Sequence, residues 1–86
     1  KASEHNERNS IIINNSTEKI VVVQIAGLIA RRILSFISKN DKMNKGDRIG
    51  LIRFGSRVDI YLPLNYPIKV KKNDIVFAGQ TIIAER

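Results

Sequence analysis

The chain reads as an all-β domain built from short strands, a small barrel or sandwich, and three features of its sequence point there. β-Branched and aromatic residues gather in short runs, such as Ile11-Ile12-Ile13 and Ile20-Val21-Val22-Val23. Between the runs lie clusters of Asn, Asp, Gly and Ser, the residues whose backbone freedom or side-chain hydrogen bonds favour turns. Val58, Ile60 and Leu62 alternate with Arg57, Asp59 and Tyr61, the period of two of a half-buried strand. Many short strands between turns suit a barrel or sandwich.

Taken in order, Ile11, Ile12 and Ile13 form a first strand, ended by Asn14-Asn15-Ser16-Thr17, whose side chains bond the local backbone. Residues 20–25 form a second strand with β-branched residues on both faces, which suits burial on both sides. Ile25, Leu28, Ile29, Ile33, Phe36 and Ile37 then fall at helical spacings and would line one face of an amphipathic helix. By periodicity alone, 26–38 is more helix than strand. Residues 40–47 are polar and turn-like. Residues 48–54 return to strand composition, with Ile49 and Leu51 on one face and Ile52 and Phe54 on the other. Gly55 interrupts them, as a glycine does at a bulge, a bend or a close backbone approach. The alternating strand follows and Pro63 ends it. The tail offers Ile68 and Val70, a turn at Lys71-Lys72-Asn73-Asp74, a strand at 75–77, a turn at Ala78-Gly79 and a last strand at 81–84. Lys45-Gly46-Asp47-Arg48-Ile49 and Lys72-Asn73-Asp74-Ile75-Val76 share one order of residue types, an internal echo that suits a quasi-symmetric β fold.

The 86 residues suffice for one small domain, and a chain of that size buries only about 60% of the surface its unfolded form exposes. It starts at Lys1 without Met and enters a polar stretch, which predicts a fragment or a processed product. With no cysteine, neither a disulfide framework nor a thiolate metal site is available, and a reducing cytoplasm is the default compartment. No metal ligand set is predicted. Residues 20–37 are interrupted by Gln24, Arg31 and Arg32 and fall short of a membrane-spanning helix. Fifteen Lys and Arg against eight Asp and Glu give +7, which favours nucleic acid, an anionic membrane surface or a phosphorylated ligand, and serves solubility equally well.

One place suggests chemistry. Gly55-Ser56 lies between two strand-like runs, flanked by Arg53 and Arg57, which would set positive charge beside an oxyanion or carboxylate formed there. From composition alone, a bulge with a solvated serine and two surface arginines is the simpler account.

Three blocks change that balance: Asn6-Glu7-Arg8-Asn9, then Val23-Gln24-Ile25-Ala26-Gly27-Leu28-Ile29-Ala30-Arg31-Arg32-Ile33, then Gly46-Asp47-Arg48-Ile49-Gly50-Leu51-Ile52-Arg53-Phe54-Gly55-Ser56-Arg57-Val58-Asp59. In this order they resemble the carboxyl-terminal part of the short, type II bacterial phosphatidylserine decarboxylases. With the closing hairpin they cover nearly all of the chain. Residues 70–84 also resemble the last hairpin of biotinyl and lipoyl carriers and of the barrel-sandwich hybrid fold.

The resemblance implies strands rather than a helix over 26–38, in a small barrel-sandwich-hybrid-like fold that is part of a larger proenzyme. It implies self-cleavage between Gly55 and Ser56, with 1–55 ending the β subunit and 56–86 forming the α subunit. Ser56 would be the nucleophile and the precursor of a covalent pyruvoyl cofactor, and Gly55 would supply the carbonyl attacked. Arg53, Phe54 and Arg57 are the substrate-binding candidates. The pyruvoyl keto carbon would condense with the amine of phosphatidylserine and draw electrons from the breaking carbon–carboxylate bond, giving phosphatidylethanolamine. The partners implied are phosphatidylserine, an anionic membrane surface met peripherally on the cytoplasmic face, and the two subunits of one proenzyme, with no nucleic acid. Arg31 and Arg32 would meet lipid phosphate or form a solvated edge. A serine hydroxyl needs a base. The one histidine, His5, reads as a surface residue, and the family's catalytic His and Asp belong to an earlier part of the protein.

Two other readings stand beside this one. A basic β barrel that binds nucleic acid would use aromatic platforms, and Phe36, Phe54, Phe77, Tyr61 and Tyr66 form no recognisable stacking pair. A carrier-like structural domain would need a lysine at a tight hairpin tip in the carrier's usual setting.

Overall fold

The computed structural model describes residues 7–28, 32–52 and 55–85. They hold five strands, β1 (Arg8–Asn14), β2 (Lys19–Ile25), β3 (Ile33–Ser35), β4 (Gly50–Ile52) and β5 (Arg57–Tyr61). No helix occurs among the described residues, and the fold is all-β.

Asn15 folds β1 back onto β2. Its side-chain oxygen accepts the N–H groups of Thr17 at 2.9 Å and Glu18 at 2.8 Å, so one carboxamide organises the turn. The hairpin runs in register from Asn14↔Lys19 to Arg8↔Ile25. β5 pairs with the other edge of β2, from Val21↔Tyr61 to Ile25↔Arg57, which gives an antiparallel sheet of order β1-β2-β5. Opposed residues share a face. Ile11, Val22 and Ile60 therefore form one row, and Asn9, Gln24 and Val58 the next row on that face. The core is thin: among the described residues, only Ile11, Ile25 and Ala26 are buried apolar side chains. Residues 20–23 are half-buried, and burial expected of the whole second strand is reached only at Gln24 and Ile25.

β3 and β4 form a second antiparallel pair, from Ile33↔Ile52 to Ser35↔Gly50. Phe36 N–H donates to the Ile49 carbonyl at 3.0 Å and extends it. The helical spacing over 26–38 yields no helix among its described residues, and Ile33–Ser35 is a strand, as the resemblance implied, because pairing with β4, far along the chain, outweighs a local period. Two contacts tie this pair to the larger sheet. The Glu7 carboxylate accepts the Ile33 N–H at 2.6 Å. Gly50 lies against the Gln24 side chain, where a Cβ would stand 3.5 Å from its nitrogen.

The turns share a construction. Asp41, Asp47 and Asp74 each donate their N–H to the carbonyl three residues earlier, at 3.1, 3.0 and 3.1 Å. Each carboxylate accepts the N–H of that same residue, Ser38, Asn44 or Lys71, at 2.7, 2.8 and 2.9 Å. The residue before each Asp has positive φ: 72° at Asn40, 89° at Gly46 and 72° at Asn73. A positive φ at the third position alone is that of a type II turn. The echo is therefore a repeat of turns, at 44–47 and 71–74, and 38–41 with Lys39-Asn40-Asp41 is a third copy of the same turn.

The tail corrects an expectation. Its turns form, with Gln80 N–H on the Phe77 carbonyl at 3.1 Å around Gly79. The three expected strands reduce to one bridge, Ile68↔Ala84, flanked by Lys69 N–H to the Ile83 carbonyl at 2.8 Å and Glu85 N–H to the Pro67 carbonyl at 3.1 Å. Residues 75–77 have strand composition but join no ladder, and their side chains are exposed.

Candidate active site

The end of β2 and the start of β5 meet at Ser56. Continuing the register Ile25↔Arg57 by one and two residues sets Ala26 beside Ser56 and Gly27 beside Gly55. Ala26 is 0% exposed and its N–H donates to the Glu7 carbonyl at 3.0 Å, so β1 fixes the β2 end from its other side. Gly27 N–H donates to Ser56 Oγ at 3.4 Å, a long contact. Ser56 is half-buried there, just outside the ladder.

Glycine is needed at 27 and 55 for different reasons. A Cβ on Gly27 would press onto the Gly55 carbonyl oxygen and stand 2.9 Å from its carbon, closer than real Cβ atoms come. The φ of Gly27 lies outside the left-handed range, so space alone demands glycine. At Gly55 nothing lies within 4 Å of a Cβ, but φ is 86°, so conformation demands it. The resulting arrangement presents a carbonyl, the hydroxyl of the next residue and a backbone donor on that hydroxyl oxygen. A donor there leaves the hydroxyl proton to another acceptor and stabilises negative charge that develops on the oxygen.

Arg57 opens β5, and its guanidinium grips Asp59 at two points, Nε to Oδ1 at 3.2 Å and Nη2 to Oδ2 at 3.3 Å. An arriving anion has to compete with that carboxylate. Arg57 is largely exposed and Asp59 half-buried, so solvent still screens the pair and it is weakly held. Arg53 and Phe54, the other substrate-binding candidates, lie outside the described residues, as do His5 and Arg31. Arg32 is exposed.

Reading the residues alone passed over Gly27 and Gln24. Gln24 is 6% exposed and its Oε1 accepts Asn9 Nδ2 at 3.2 Å, so the sheet behind the site carries a satisfied polar pair instead of another apolar row. The signal for Gly27 was available only through pairing: once the alternating strand 57–61 is set antiparallel to 21–25, residue 27 faces residue 55.

The family model described as phosphatidylserine decarboxylase matches residues 1–84. The chain is 53% identical over 85 residues to the phosphatidylserine decarboxylase proenzyme of Azorhizobium caulinodans, a match that covers 99% of this chain and 36% of that protein. It is 49% identical over 85 residues to the protein of the same description from Xanthobacter autotrophicus, again with 99% and 36% covered. The chain thus spans about a third of the length of these curated relatives. No solved structure matches it.

Proposed function

This chain belongs to the phosphatidylserine decarboxylase family, and from that premise we propose that the protein containing it cuts itself between Gly55 and Ser56 and then decarboxylates phosphatidylserine. One observation carries the reading: the Gly55–Ser56 peptide sits in a left-handed turn with Ser56 Oγ held 3.4 Å from a backbone donor of the facing strand. Ser56 Oγ forms a bond to the Gly55 carbonyl carbon, the carbon–nitrogen bond breaks, and the hydroxyl proton reaches the freed nitrogen through a base. Loss of the Ser56 α-proton then breaks the Cβ–Oγ bond and leaves Oγ on the Gly55 carboxylate. The remaining dehydroalanine isomerises to an imine, and water converts it to a keto group with release of ammonia.

The site fits that group, since its atoms are those of Ser56 and the turn already exposes one side of Gly55. Once formed, the pyruvoyl supplies an electron sink for the carbon–carboxylate bond. Arg57 is placed to meet an acidic headgroup in exchange for Asp59, and Arg53 and Phe54 precede the cut. The base is assigned to the part of the protein outside this chain. The protein is proposed to work peripherally at an anionic membrane surface on the cytoplasmic side.

Intact-mass measurement of the full-length protein tests this directly. We expect two pieces meeting at Gly55 and Ser56, the smaller one without a free amino terminus and gaining mass on hydride reduction. Ser56→Ala has no oxygen to accept the acyl group and is expected to stay whole and inactive. Two pieces from that variant would sink the mechanism.

A further inference from the structure

We infer that Gly27 is the positioning residue for self-cleavage: its bare Cα lets the Gly55 carbonyl seat against the end of β2, and its N–H holds Ser56 Oγ through the reaction. The inference rests on the self-cleaving reading above and adds a residue to it.

The β2–β5 ladder ends at Ile25↔Arg57, so the Gly27 amide is outside the ladder and is directed to a side chain, Ser56 Oγ. In the acyl shift, charge builds on Oγ as its proton leaves. In the elimination, the electron pair of the Cβ–Oγ bond comes to rest on the same atom, now part of the Gly55 carboxylate. One fixed donor on Oγ serves both steps. The space is as important as the donor. The Gly55 carbonyl carbon occupies the position from which a Cβ at 27 would be 2.9 Å away, so any side chain there must push the electrophile from its place. Displacement of a reacting atom by about 1 Å costs on the order of a hundredfold in rate.

The test uses the full-length protein and follows cleavage by mass. Wild type that stays whole, or Ser56→Ala that splits, overturns the self-cleaving reading and this inference with it. With those two as expected, Gly27→Ala should cleave about a hundredfold more slowly, and cleavage at the wild-type rate overturns the inference alone. Hydroxylamine separates the steps, because it attacks the Gly55–Oγ ester and releases the piece ending at Gly55 as a hydroxamate, leaving Ser56 with a free amine and hydroxyl. Gly27→Ala should resist hydroxylamine, since the ester is what fails to form; hydroxylamine cleavage at the wild-type rate counts against it.

Two further proteins guard against a purely structural effect. Ile11→Ala loosens the core away from the site and should still cleave at the wild-type rate below its melting temperature; an equal slowing there overturns the positioning role. Glycolate in place of Gly27, introduced by nonsense suppression, keeps the space and puts an ester oxygen where the N–H was, which also weakens the Ala26 carbonyl as an acceptor. It should slow cleavage about tenfold, the scale of one hydrogen bond. It also decides the matter if Gly27→Ala does not fold, and a wild-type rate for it overturns the role of the N–H.

Discussion

A Cβ on Gly55 meets nothing within 4 Å, yet at a φ of 86° an L side chain costs about 1–2 kcal/mol through its own backbone. Gly46 gives a matched comparison, with φ at 89° and equally open space, in a turn with no part in the site. Gly55→Ala and Gly46→Ala should therefore each lower the stability of the full-length protein by about 1 kcal/mol, read from denaturant unfolding. Only the change at 55 should also slow self-cleavage. Asparagine tolerates left-handed backbone, as Asn40 and Asn73 do at 72° in this chain. Gly55→Asn should accordingly lose less stability than Gly55→Ala. An alanine that costs nothing, or an asparagine worse than alanine, would show that φ is not what selects glycine at 55.

At the scale of elements, what was legible in the sequence is what adjacent residues decide. Asn15 announces its turn because its own side chain binds the two N–H groups that follow. The alternation at 57–62, the stop at Pro63 and the break at Gly55 are equally local. The Lys-Asn-Asp and Lys-Gly-Asp turns are half legible: residue order shows an echo in two copies, while the rule behind it, a left-handed residue before an Asp that closes on both backbone groups, exists only in the hydrogen bonds. Errors occur where a distant partner decides. By its period Ile33–Ser35 is helical; only the resemblance gave the strand that is found, because β4, far along the chain, takes its backbone. Residues 75–77 have strand composition and join no ladder; Phe77 is bonded instead within its own turn, to Gln80 and Thr81. The site divides in the same way. Gly55 and Ser56 were found through the resemblance of contiguous blocks, and Gly27 was not, because its role exists only once β2 and β5 are in register.

At the scale of the whole chain, its charge of +7 and its surface area each lead to an expectation. If the protein meets anionic lipid through its basic residues, sedimentation with phosphatidylserine vesicles should weaken as salt shortens the screening length from about 10 Å at 0.1 M to about 3 Å at 1 M. Binding indifferent to salt would point to apolar insertion instead. The surface makes the stronger case. The chain exposes 7637 Å² for a mass of 9.7 kDa, where a self-sufficient folded monomer of that mass exposes about 5,100 Å². Its radius of gyration, 13.9 Å, likewise exceeds the roughly 12 Å of a compact domain of this length. Leu64 at 106% and Ile75 at 84% exposure belong to that excess, which at about 2,500 Å² has the size of an obligate interface. The matched region is 36% of the curated relatives, so the remaining length of such a protein can supply the cover. The 86-residue chain made alone should accordingly bind an apolar dye and melt without a cooperative transition, while the full-length protein melts sharply. Calorimetry decides it. A sharp transition in the isolated chain, with the heat-capacity change of about 1.0–1.3 kcal/mol/K due to a folded domain of this length, would show that its thin core suffices and that the exposed apolar surface needs no covering segment.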